Sequence, residues 1–302
     1  MPSSSPRSPR SPRRHRLYRV LTWAIRAFIV LFFWATFVEP ELVLRHDASF
    51  APPPRPPWPD GCNGLRVAVV SDLHIGDFHL HAWRRQYIEN ALREAKPDVV
   101  LIPGDFVAHV IGGKTLALGE IADTLKDWPK IAPVVAVLGN HDYSNQPPHT
   151  GIPDLERHGI EVLNNEPLKV SLRHGACSFW IAGVADGFSG VDSVPATMGP
   201  VPQGEPVLLL THDPRVALKA DPKRVSWVVA GHTHGGVACV PGTIWCISRL
   251  SRWTGPWVRG WYRNPAFPPT LVSPGLGNSI YPGRVGSPPG WNLVTLDVKG
   301  NQ

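Results

Sequence analysis

Beyond residue 19 the sequence lacks a net charge. The whole chain has 30 Lys and Arg against 24 Asp and Glu, a formal charge of +6. The first nineteen residues contain six Arg and no acidic residue, so the rest of the chain carries 24 residues of each sign. Nucleic-acid-binding domains usually carry a basic excess on their own surface. The balance therefore argues against nucleic acid as a partner.

The sequence also lacks the marks of a low-complexity or disordered chain. It has 34 Pro and 28 Gly among 302 residues, about a fifth, which is below the ~25–30% that indicates low complexity. Charged residues are 18% and hydrophobic residues 43%, so a sizeable core can form and global disorder is excluded. No internal repeat is visible, and the length fits one large domain or two ordinary ones.

The N-terminal segment combines a basic tail with an apolar run. Residues 1–16 are rich in Ser, Pro and Arg, and we predict a disordered tail because few of their side chains can be buried. The run from Val20 to Val38 is interrupted only by Arg26 and spans about 28 Å as a helix, close to the thickness of a bilayer core. Trp23 and Trp34 lie near its ends, as interfacial aromatic residues do. We predict a transmembrane anchor over residues 17–38.

Two other interpretations of the apolar run remain open. It is also compatible with a buried helix of a soluble protein, or with a cleaved signal peptide whose apolar core is Ala27–Val38. The nearest small-x-small cleavage site, Ser49 to Ala51, is distant and precedes Pro52. An Arg13-Arg14 pair resembles part of a twin-arginine signal, but the residues after it fit poorly. An uncleaved anchor is the better interpretation.

The distribution of Arg predicts the orientation of the anchor. The tail carries six Arg, whereas residues 39–60 carry only Arg45 and Arg55, so the positive-inside rule places the tail in the cytoplasm and the following domain on the far side. A cytoplasmic domain is the alternative, because long domains can override the local bias. Residues 39–64 are predicted to be a linker, and the six Pro of residues 51–60 predict an extended polyproline spacer.

From residue 65 to residue 302 the pattern is that of a single α/β domain. Short apolar runs predict strands, and one face of His81–Ala95 predicts a helix. Polar residues follow five of the strands: Ser71-Asp72-Leu73-His74, Gly104-Asp105, Gly139-Asn140-His141-Asp142, Thr211-His212-Asp213 and Gly231-His232-Thr233-His234-Gly235-Gly236. Open α/β sheets place their sites at the carboxyl ends of strands, so these five loops can converge. Gly104, Gly139 and Gly231 allow tight turns and close backbone approach there.

Each of these motifs is weak by itself, but the ordered series D-x-H, G-D, G-N-H-D, H, G-H-x-H resembles the calcineurin-like metallophosphoesterase superfamily. The resemblance covers most of the predicted domain and implies a four-layer α/β/β/α sandwich, here preceded by one transmembrane helix. It implies that one metal ion is held by Asp72, His74, Asp105 and His234. A second is held by Asp105, Asn140, His212 and His232, with Asp105 shared.

The implied chemistry is hydrolysis with two divalent metal ions. Two cations ~3.5–4 Å apart can activate water and bind the phosphoryl oxygens together, and mixed oxygen and nitrogen ligands suit Mn, Fe, Zn or similar ions. His141, beside a ligand, is left to stabilise charge on the phosphoryl group or to protonate the leaving oxygen. Asp142 is predicted to orient a histidine from outside the ligand set.

The segments Leu271–Ser279 and Trp291–Leu296 resemble a narrower group, bacterial membrane-associated phosphoesterases that include lipid-processing relatives. This implies a protein of the bacterial inner membrane, with its domain on the periplasmic side, and a lipid-linked substrate such as UDP-2,3-diacylglucosamine or a phospholipid. That nucleotide-linked lipid faces the cytoplasm, which conflicts with the predicted topology. Where the group commonly has Gln, this chain has Val237, which leaves substrate contacts near that loop open.

Two other functions are compatible with the same motifs. A nuclease or nucleotide phosphodiesterase shares the motif set, but the neutral charge balance argues against a nuclease. A non-catalytic metal-containing binding module would be expected to have lost some ligands, and none of the ligand-type residues is missing.

Three features remain open to two interpretations each. Cys239 and Cys246 could pair across a Pro-Gly turn or remain free buried thiols. The segment 245–263 is rich in Trp and Arg (Trp245, Trp253, Trp257, Trp261, Arg249, Arg252, Arg259 and Arg263), which predicts either core packing with a solvated face or a surface that contacts lipid headgroups. The pair His79 and His81 predicts either a loop or helix-start role or a substrate contact.

Overall fold

The computed structural model describes residues 12–54, 56–77, 79–145, 150–250 and 254–300. Two six-stranded sheets lie face to face. The first has the order β1-β12-β2-β3-β4-β5. Its strands are β1 (Leu44–Phe50), β2 (Arg66–Val69), β3 (Val99–Pro103), β4 (Val134–Val137), β5 (Ile160–Val162) and β12 (Gly290–Leu296). From β2 to β5 the strands are parallel, and β12 runs antiparallel to β2.

The second sheet has the order β10-β11-β9-β8-β7-β6. Its strands are β6 (Glu166–Leu172), β7 (Cys177–Val184), β8 (Val207–Thr211), β9 (Trp227–Ala230), β10 (Gly260–Asn264) and β11 (Phe267–Val272). Strands β7, β8, β9 and β11 are parallel to one another. The edge strands β6 and β10 run antiparallel to their neighbours β7 and β11. Each sheet thus has a parallel centre, whose carboxyl ends lie at one edge of the sheet.

Among the described residues, six α-helices accompany the two sheets. They are α1 (Pro12–Phe33), α2 (Ala82–Ala95), α3 (Leu118–Leu125), α4 (Asn140–Asn145), α5 (Ile152–Arg157) and α6 (Val194–Met198). Buried residues of α2, α3 and α5 pack on the first sheet. On the second sheet the cover is thinner, formed by α6 and a 3-10 helix, Pro214–Lys219.

Alternate side chains of a strand point to opposite faces of its sheet and so belong to different layers of the core. In β2, Val67 and Val69 pack between the two sheets, whereas Ala68 packs toward the helices. Successive strand residues point to opposite faces, so a strand buried on both sides is apolar at every position. This arrangement confirms the predicted four-layer α/β/β/α sandwich.

The structure differs from the linker predicted over residues 39–64. Strand β1 pairs in parallel with β12 at the edge of the first sheet, and the proline-rich segment lies against the domain. Trp58 is buried, donates from Nε1 to Ser226 Oγ at 3.0 Å and packs against the ring of Phe179. The sequence pattern missed β1 because an edge strand that is exposed along most of its length shows no apolar run.

The first helix begins earlier than the predicted anchor and ends on the domain. It starts at Pro12 rather than at residue 17, and residues 1–11 of the predicted tail lie outside the described residues. A π-helical turn, Trp34–Val38, extends it. Within the described part of the chain, one helical segment, Arg16–Glu41, is long and apolar enough to cross a membrane.

All four cysteines are paired. Cys239 is bonded to Cys246, the predicted local pair, and Cys62 is bonded to Cys177. The second bond connects the segment before β2 to the first residue of β7. It therefore crosslinks elements of different sheets, which spacing in the sequence could not indicate.

Candidate metal centre

The five polar loops converge where the two sheets meet. Each follows a central strand, at its carboxyl end: Asp72 and His74 follow β2, Asp105 follows β3, Asn140 follows β4, His212 follows β8, and His232 and His234 follow β9. The structure thus brings all seven predicted ligands into one cluster, three of them from the second sheet.

Four of these residues form a compact buried group. Asp72, His74, Asp105 and His234 each offer one ligand atom, and these atoms lie within 4.8 Å of one another. His74 Nε2 lies 3.2 Å from His234 Nε2 and 3.4 Å from Asp105 Oδ2. Two imidazole nitrogens and two carboxylates facing one point form a donor set that suits a divalent transition metal.

The other three ligands lie beside this group. Asn140 Oδ1 is 3.0 Å from His212 Nε2 and 2.9 Å from His232 Nδ1. The same Asp105 Oδ2 that faces His74 lies 3.3 Å from His212 Nε2. One carboxylate oxygen therefore stands between the two groups of ligands.

Backbone carbonyls fix the protonation of three histidine rings. Since a carbonyl can only accept, the Nδ1 atom of each ring carries a hydrogen, and Nε2 is the ring nitrogen left to face the cluster. These hydrogen bonds run from His74 to Val107, from His212 to Pro103 and from His234 to Gly277, at 2.8–3.1 Å. Asp72 Oδ2 is buried without a hydrogen-bond partner among the described residues. The residues present therefore fit metal ions.

The cluster is held in a strained backbone. Five of its residues have positive φ: Asp72 at 50°, His74 at 42°, Asp105 at 56°, His232 at 73° and His234 at 49°. Non-glycine residues enter this region at a cost of order 1–3 kcal/mol each, and they persist there only when the surrounding structure enforces it. The strain aims these side chains inward immediately after each strand.

Glycines make room for this packing, as predicted. A Cβ on Gly139 would lie 2.3 Å from Asp105 Oδ1, and a Cβ on Gly231 would lie 2.8 Å from Asp72 Oδ2. Neither carboxylate could then keep its place. Only glycine permits the backbone to pass this close to the ligands.

Asp142 has a different role from the predicted one. Its carboxylate accepts hydrogen bonds from the backbone N–H groups of Asp105, Phe106, Val107 and Gly139, at 2.8–3.0 Å. These amides belong to the loops after β3 and β4. Among the described residues, Asp142 therefore fixes the backbone that carries Asp105 and does not orient a histidine ring, the role that its motif predicts.

The opposite charges of Asp105 and His212 stabilise each other in the cluster. Burial by itself would raise the pKa of Asp105, but the neighbouring His212 holds that pKa well below its ordinary value. Burial acts against protonation of His212, and Asp105 nevertheless raises its pKa well above the ordinary value. The anionic carboxylate is thus stabilised by an adjacent cation, a role that a metal ion can also fill.

His141 lies at the edge of the cluster. Its Nε2 atom is 3.2 Å from Ser279 Oγ and 4.0 Å from Asp105 Oδ2, and its backbone N–H donates to Asp105 Oδ1. Burial lowers the pKa of His141 to about 4, although Asp105 acts in the opposite direction. The ring is therefore neutral at pH 7 and can donate a hydrogen bond without carrying a charge.

Sequence reasoning missed two residues beside the cluster. Ser279 ends the segment Leu271–Ser279, whose resemblance to the narrower group implies no role for it. Arg284 is fully buried and donates to backbone carbonyls around the cluster: those of His234, Pro274, Gly275, Gly277 and Ser287, at 2.5–3.3 Å. An arginine in a Gly- and Pro-rich stretch gives no sign of burial in the sequence.

The Trp- and Arg-rich segment is divided between the core and the surface. Trp257 is buried, and Trp261 stacks on Phe50 and Trp227 in the core, so these two residues do not form a lipid-facing surface. Trp245 is 74% exposed. Trp253 and Arg252 lie outside the described residues.

The histidine pair before α2 lies outside the metal cluster. His79 is buried, with Nδ1 2.7 Å from Glu41 Oε1, and His81 is the residue that precedes α2. These positions agree with the predicted loop and helix-start role. The contact with Glu41 ties the α2 loop to the end of the first helix.

Comparison with known proteins agrees with this geometry. The family model for the calcineurin-like phosphoesterase matches residues 65–236, more than half of the chain, and this range includes all seven predicted ligands. An uncharacterized metallophosphoesterase of Aquifex aeolicus is 30% identical over 247 residues, which are 78% of this chain and 87% of that protein.

Two further relatives have names that refer to a membrane and to phosphodiester hydrolysis. A transmembrane protein with metallophosphoesterase domain from Danio rerio is 31% identical over 76% of this chain, and the match spans 52% of that protein, about half its length. Phosphodiesterase YaeI of Escherichia coli is 26% identical, over 66% of this chain and 68% of its own. The chain belongs to the calcineurin-like phosphoesterase family and is a metal-binding hydrolase of phosphoester bonds.

Proposed function

We propose that this enzyme uses two metal ions to hydrolyse a phosphoester or pyrophosphate bond of a lipid-linked substrate. Two bound divalent ions would supply Lewis-acid stabilisation of the phosphoryl oxygens and an activated water. Asp72, His74, Asp105 and His234 would hold one ion, and Asp105, Asn140, His212 and His232 the other. The position of Asp105 Oδ2, 3.4 Å from His74 Nε2 and 3.3 Å from His212 Nε2, supports a shared carboxylate.

His141 would stabilise charge on the phosphoryl group. Because its ring is neutral at pH 7, it suits hydrogen-bond donation to a phosphoryl oxygen better than proton transfer to the leaving oxygen. Ser279, within hydrogen-bond distance, holds the ring at the edge of the cluster.

The observation that carries the lipid-linked substrate is the docking of the first helix beside the metal cluster. Ser279 contacts His141, and two residues further along the chain Tyr281 OH lies 2.8 Å from Thr36 Oγ1. The cluster is therefore a few residues from the point where the apolar helix meets the domain. A substrate embedded in the same membrane would meet the site there.

A separate cavity, whose lining contains none of the predicted metal ligands, adds support. It has a volume of about 700 Å³ and is bounded by Ile244, Trp245, Trp261, Leu271 and Arg259, among others. Ligand pockets have typical volumes of ~300–1,000 Å³ and largely apolar walls. Acyl chains need such an apolar space, whereas a small soluble phosphoester does not.

Two disulfides and the Arg-rich tail favour an exported domain in a bacterial inner membrane. Disulfides persist in oxidising compartments and are rare in the cytosol, and the positive-inside rule keeps the tail in the cytoplasm. Of the two candidate substrates, this topology favours a phospholipid over UDP-2,3-diacylglucosamine, whose nucleotide faces the cytoplasm.

The substrate class can be tested with the full chain in detergent micelles or nanodiscs. Supplied in turn with Mn²⁺, Zn²⁺ and Fe²⁺, it should hydrolyse a phospholipid or another lipid-linked phosphoester at least tenfold faster than a soluble phosphodiester. Asp105→Ala serves as the inactive control. Equal rates on lipid and soluble substrates, or preferential cleavage of single-stranded DNA, would contradict the proposal.

Topology needs a separate experiment. Alkaline phosphatase or green fluorescent protein fused after residue 302 should give phosphatase-active, non-fluorescent cells if the domain is exported. Fluorescent cells without phosphatase activity would contradict the exported topology and would favour UDP-2,3-diacylglucosamine over a phospholipid.

A further inference from the structure

Outside the first helix, several exposed large apolar side chains belong to segments that adjoin the metal cluster. We call six of them the apolar rim: Ile111, Ile244, Trp245, Ile247, Leu250 and Ile280. Leu250 is 87% exposed, Trp245 74%, and Ile111, Ile247 and Ile280 64–68%. A contiguous exposed apolar patch of this kind marks an interaction site rather than an ordinary protein surface.

Backbone hydrogen bonds gather the rim from three segments that are distant in the sequence. Ile111 N–H donates to Ile280 O at 2.8 Å, which joins the loop after β3 to the segment after β11. Cys239 N–H donates to Val285 O, and Ile247 N–H donates to Ala238 O, which join the disulfide-closed hairpin to the same segment. The rim is therefore one surface built on residues 280–285.

The same segment receives the end of the first helix. Arg284 N–H donates to Ala35 O at 2.8 Å, and Ser287 N–H donates to Glu39 Oε1 at 2.6 Å. Ala35, Thr36 and Glu39 are all buried at this contact. The domain is thus fixed to the helix end rather than held on a flexible tether, and the rim is continuous with the place where the helix leaves the domain.

The charge of the rim matches a membrane surface. Residues 109–117, 237–250 and 279–290 contain no Asp or Glu. The guanidinium of Arg249 lies over the ring of Trp245, 5.9 Å from its centroid. A tryptophan with an arginine suits the bilayer interface, where the ring enters the boundary of the acyl chains and the cation meets headgroup phosphates.

We propose that the apolar rim is a membrane-contact surface that holds the catalytic face against the bilayer to which the first helix anchors the protein. The rim residue Ile280 directly follows Ser279, which contacts His141, so the edge of the metal cluster would face the headgroup layer. A phosphoester of a membrane lipid could then reach the cluster without leaving the leaflet. This inference deepens the proposed function and rests on it for the identity of the substrate class.

Membrane contact can be measured without substrate turnover. The tryptophan fluorescence of the full chain is measured in phosphatidylcholine vesicles with one fifth phosphatidylglycerol. It is measured again in vesicles of the same composition whose acyl chains are brominated, because bromine quenches nearby tryptophan. Trp245→Phe should remove a strongly quenched component, because its ring would lie in the interface. Trp180→Phe, a half-buried tryptophan on the second sheet, should remove only unquenched emission. An unchanged quenched component in Trp245→Phe would overturn the proposal.

A double variant tests the consequence for catalysis. Ile247→Asp with Leu250→Asp should lower hydrolysis of a vesicle-embedded phosphoester at least tenfold and leave hydrolysis of soluble bis(para-nitrophenyl) phosphate unchanged. Leu218→Asp, at a residue 60% exposed in the 3-10 helix over the second sheet, is the matched control and should change neither rate. Equal losses on both substrates, or no loss on either, would contradict the inference.

The two experiments separate this inference from the proposed function. If no lipid phosphoester is hydrolysed under any condition, the lipid-linked substrate is wrong, while the bromine quenching of Trp245 still decides whether the rim contacts the membrane.

Discussion

The two sheets contribute different chemistry to the metal cluster. The loops of the first sheet supply both carboxylates and the amide, Asp72, Asp105 and Asn140, together with His74. The loops of the second sheet supply three histidines, His212, His232 and His234. The anionic ligands are therefore on one side of the sandwich, and most of the imidazoles are on the other.

This division shows how a buried anionic site is stabilised. Burial raises the pKa of Asp72 above its ordinary value. Repulsion from the nearby Asp105 carboxylate, on the same sheet, raises that pKa further. Packing the second sheet against the first brings His212 to Asp105, whose pKa falls. The site is complete only when the sheets are packed together, so folding and metal binding should be strongly coupled.

The largest effect is expected from the residue that faces both groups of ligands. Asp105→Ala should remove both ions, or leave a protein with at most one, and activity should fall to background, because the shared anion is lost and Asp72 is then the one carboxylate left among the predicted ligands. Elemental analysis of the purified variant is the measurement. Two ions still bound per chain would show that Asp105 is not shared.

The crosslink between the sheets should contribute more stability than the local disulfide. Cys62 and Cys177 are 115 residues apart and Cys239 and Cys246 are 7 apart, so the chain-entropy model gives about 5 kcal/mol for the first and about 2.5 kcal/mol for the second. Urea unfolding of the paired Cys→Ser variants measures both. A larger loss on removing the local bond would contradict this ranking.

His141 should affect the reaction rather than the metal. His141→Ala is expected to lower kcat by ~10²–10³, the usual effect of losing a positioned hydrogen-bond donor to developing charge, with metal content unchanged. His141→Gln, which keeps an N–H donor, should restore part of the rate. Loss of metal together with activity would instead make His141 a ligand.

A smaller and more selective effect is expected at the amide ligand. Asn140→Ala should weaken mainly the second ion, since Asn140 contacts His212 and His232 but lies outside the group formed with Asp72. Metal titration should show one site of unchanged affinity and one that is weakened. Equal weakening of both sites would mean that the ligands do not divide as proposed.

The smallest effect concerns pH. Because Asp105 raises the pKa of His212 well above its ordinary value, His212 must release a proton when it binds a metal ion. Apparent affinity for the second ion should therefore rise with pH, up to about tenfold per unit, until that pKa is passed. Calorimetric titration in buffers of different ionisation enthalpy would detect the released proton. A pH-independent affinity would contradict the assignment.

The convergence of the predicted ligands was the most predictable part of the molecule. Each predicted ligand follows an apolar run within a few residues, and the parallel order of such strands brings their carboxyl ends to the same edge. The local chain therefore carries both the side chain and its approximate position. The glycines beside Asp72 and Asp105 were predictable for the same reason.

Less predictable were the contacts between distant segments. Strand β1 was missed because it pairs with β12, almost the whole length of the domain away, and its own residues are mostly exposed. The composition of the proline-rich segment predicts a free spacer. Only the position of Phe179 and Ser226 shows why Trp58 is buried.

The sequence by itself determined which residues can bind metal, where the strands that present them lie, and that an apolar helix precedes the domain, because these properties depend on neighbours along the chain. The tertiary structure alone decided that Cys62 pairs with Cys177, that Arg284 and Ser279 support the cluster, and that the helix end lies beside it. Those features depend on which surfaces the packing of two sheets brings together, and no local pattern encodes them.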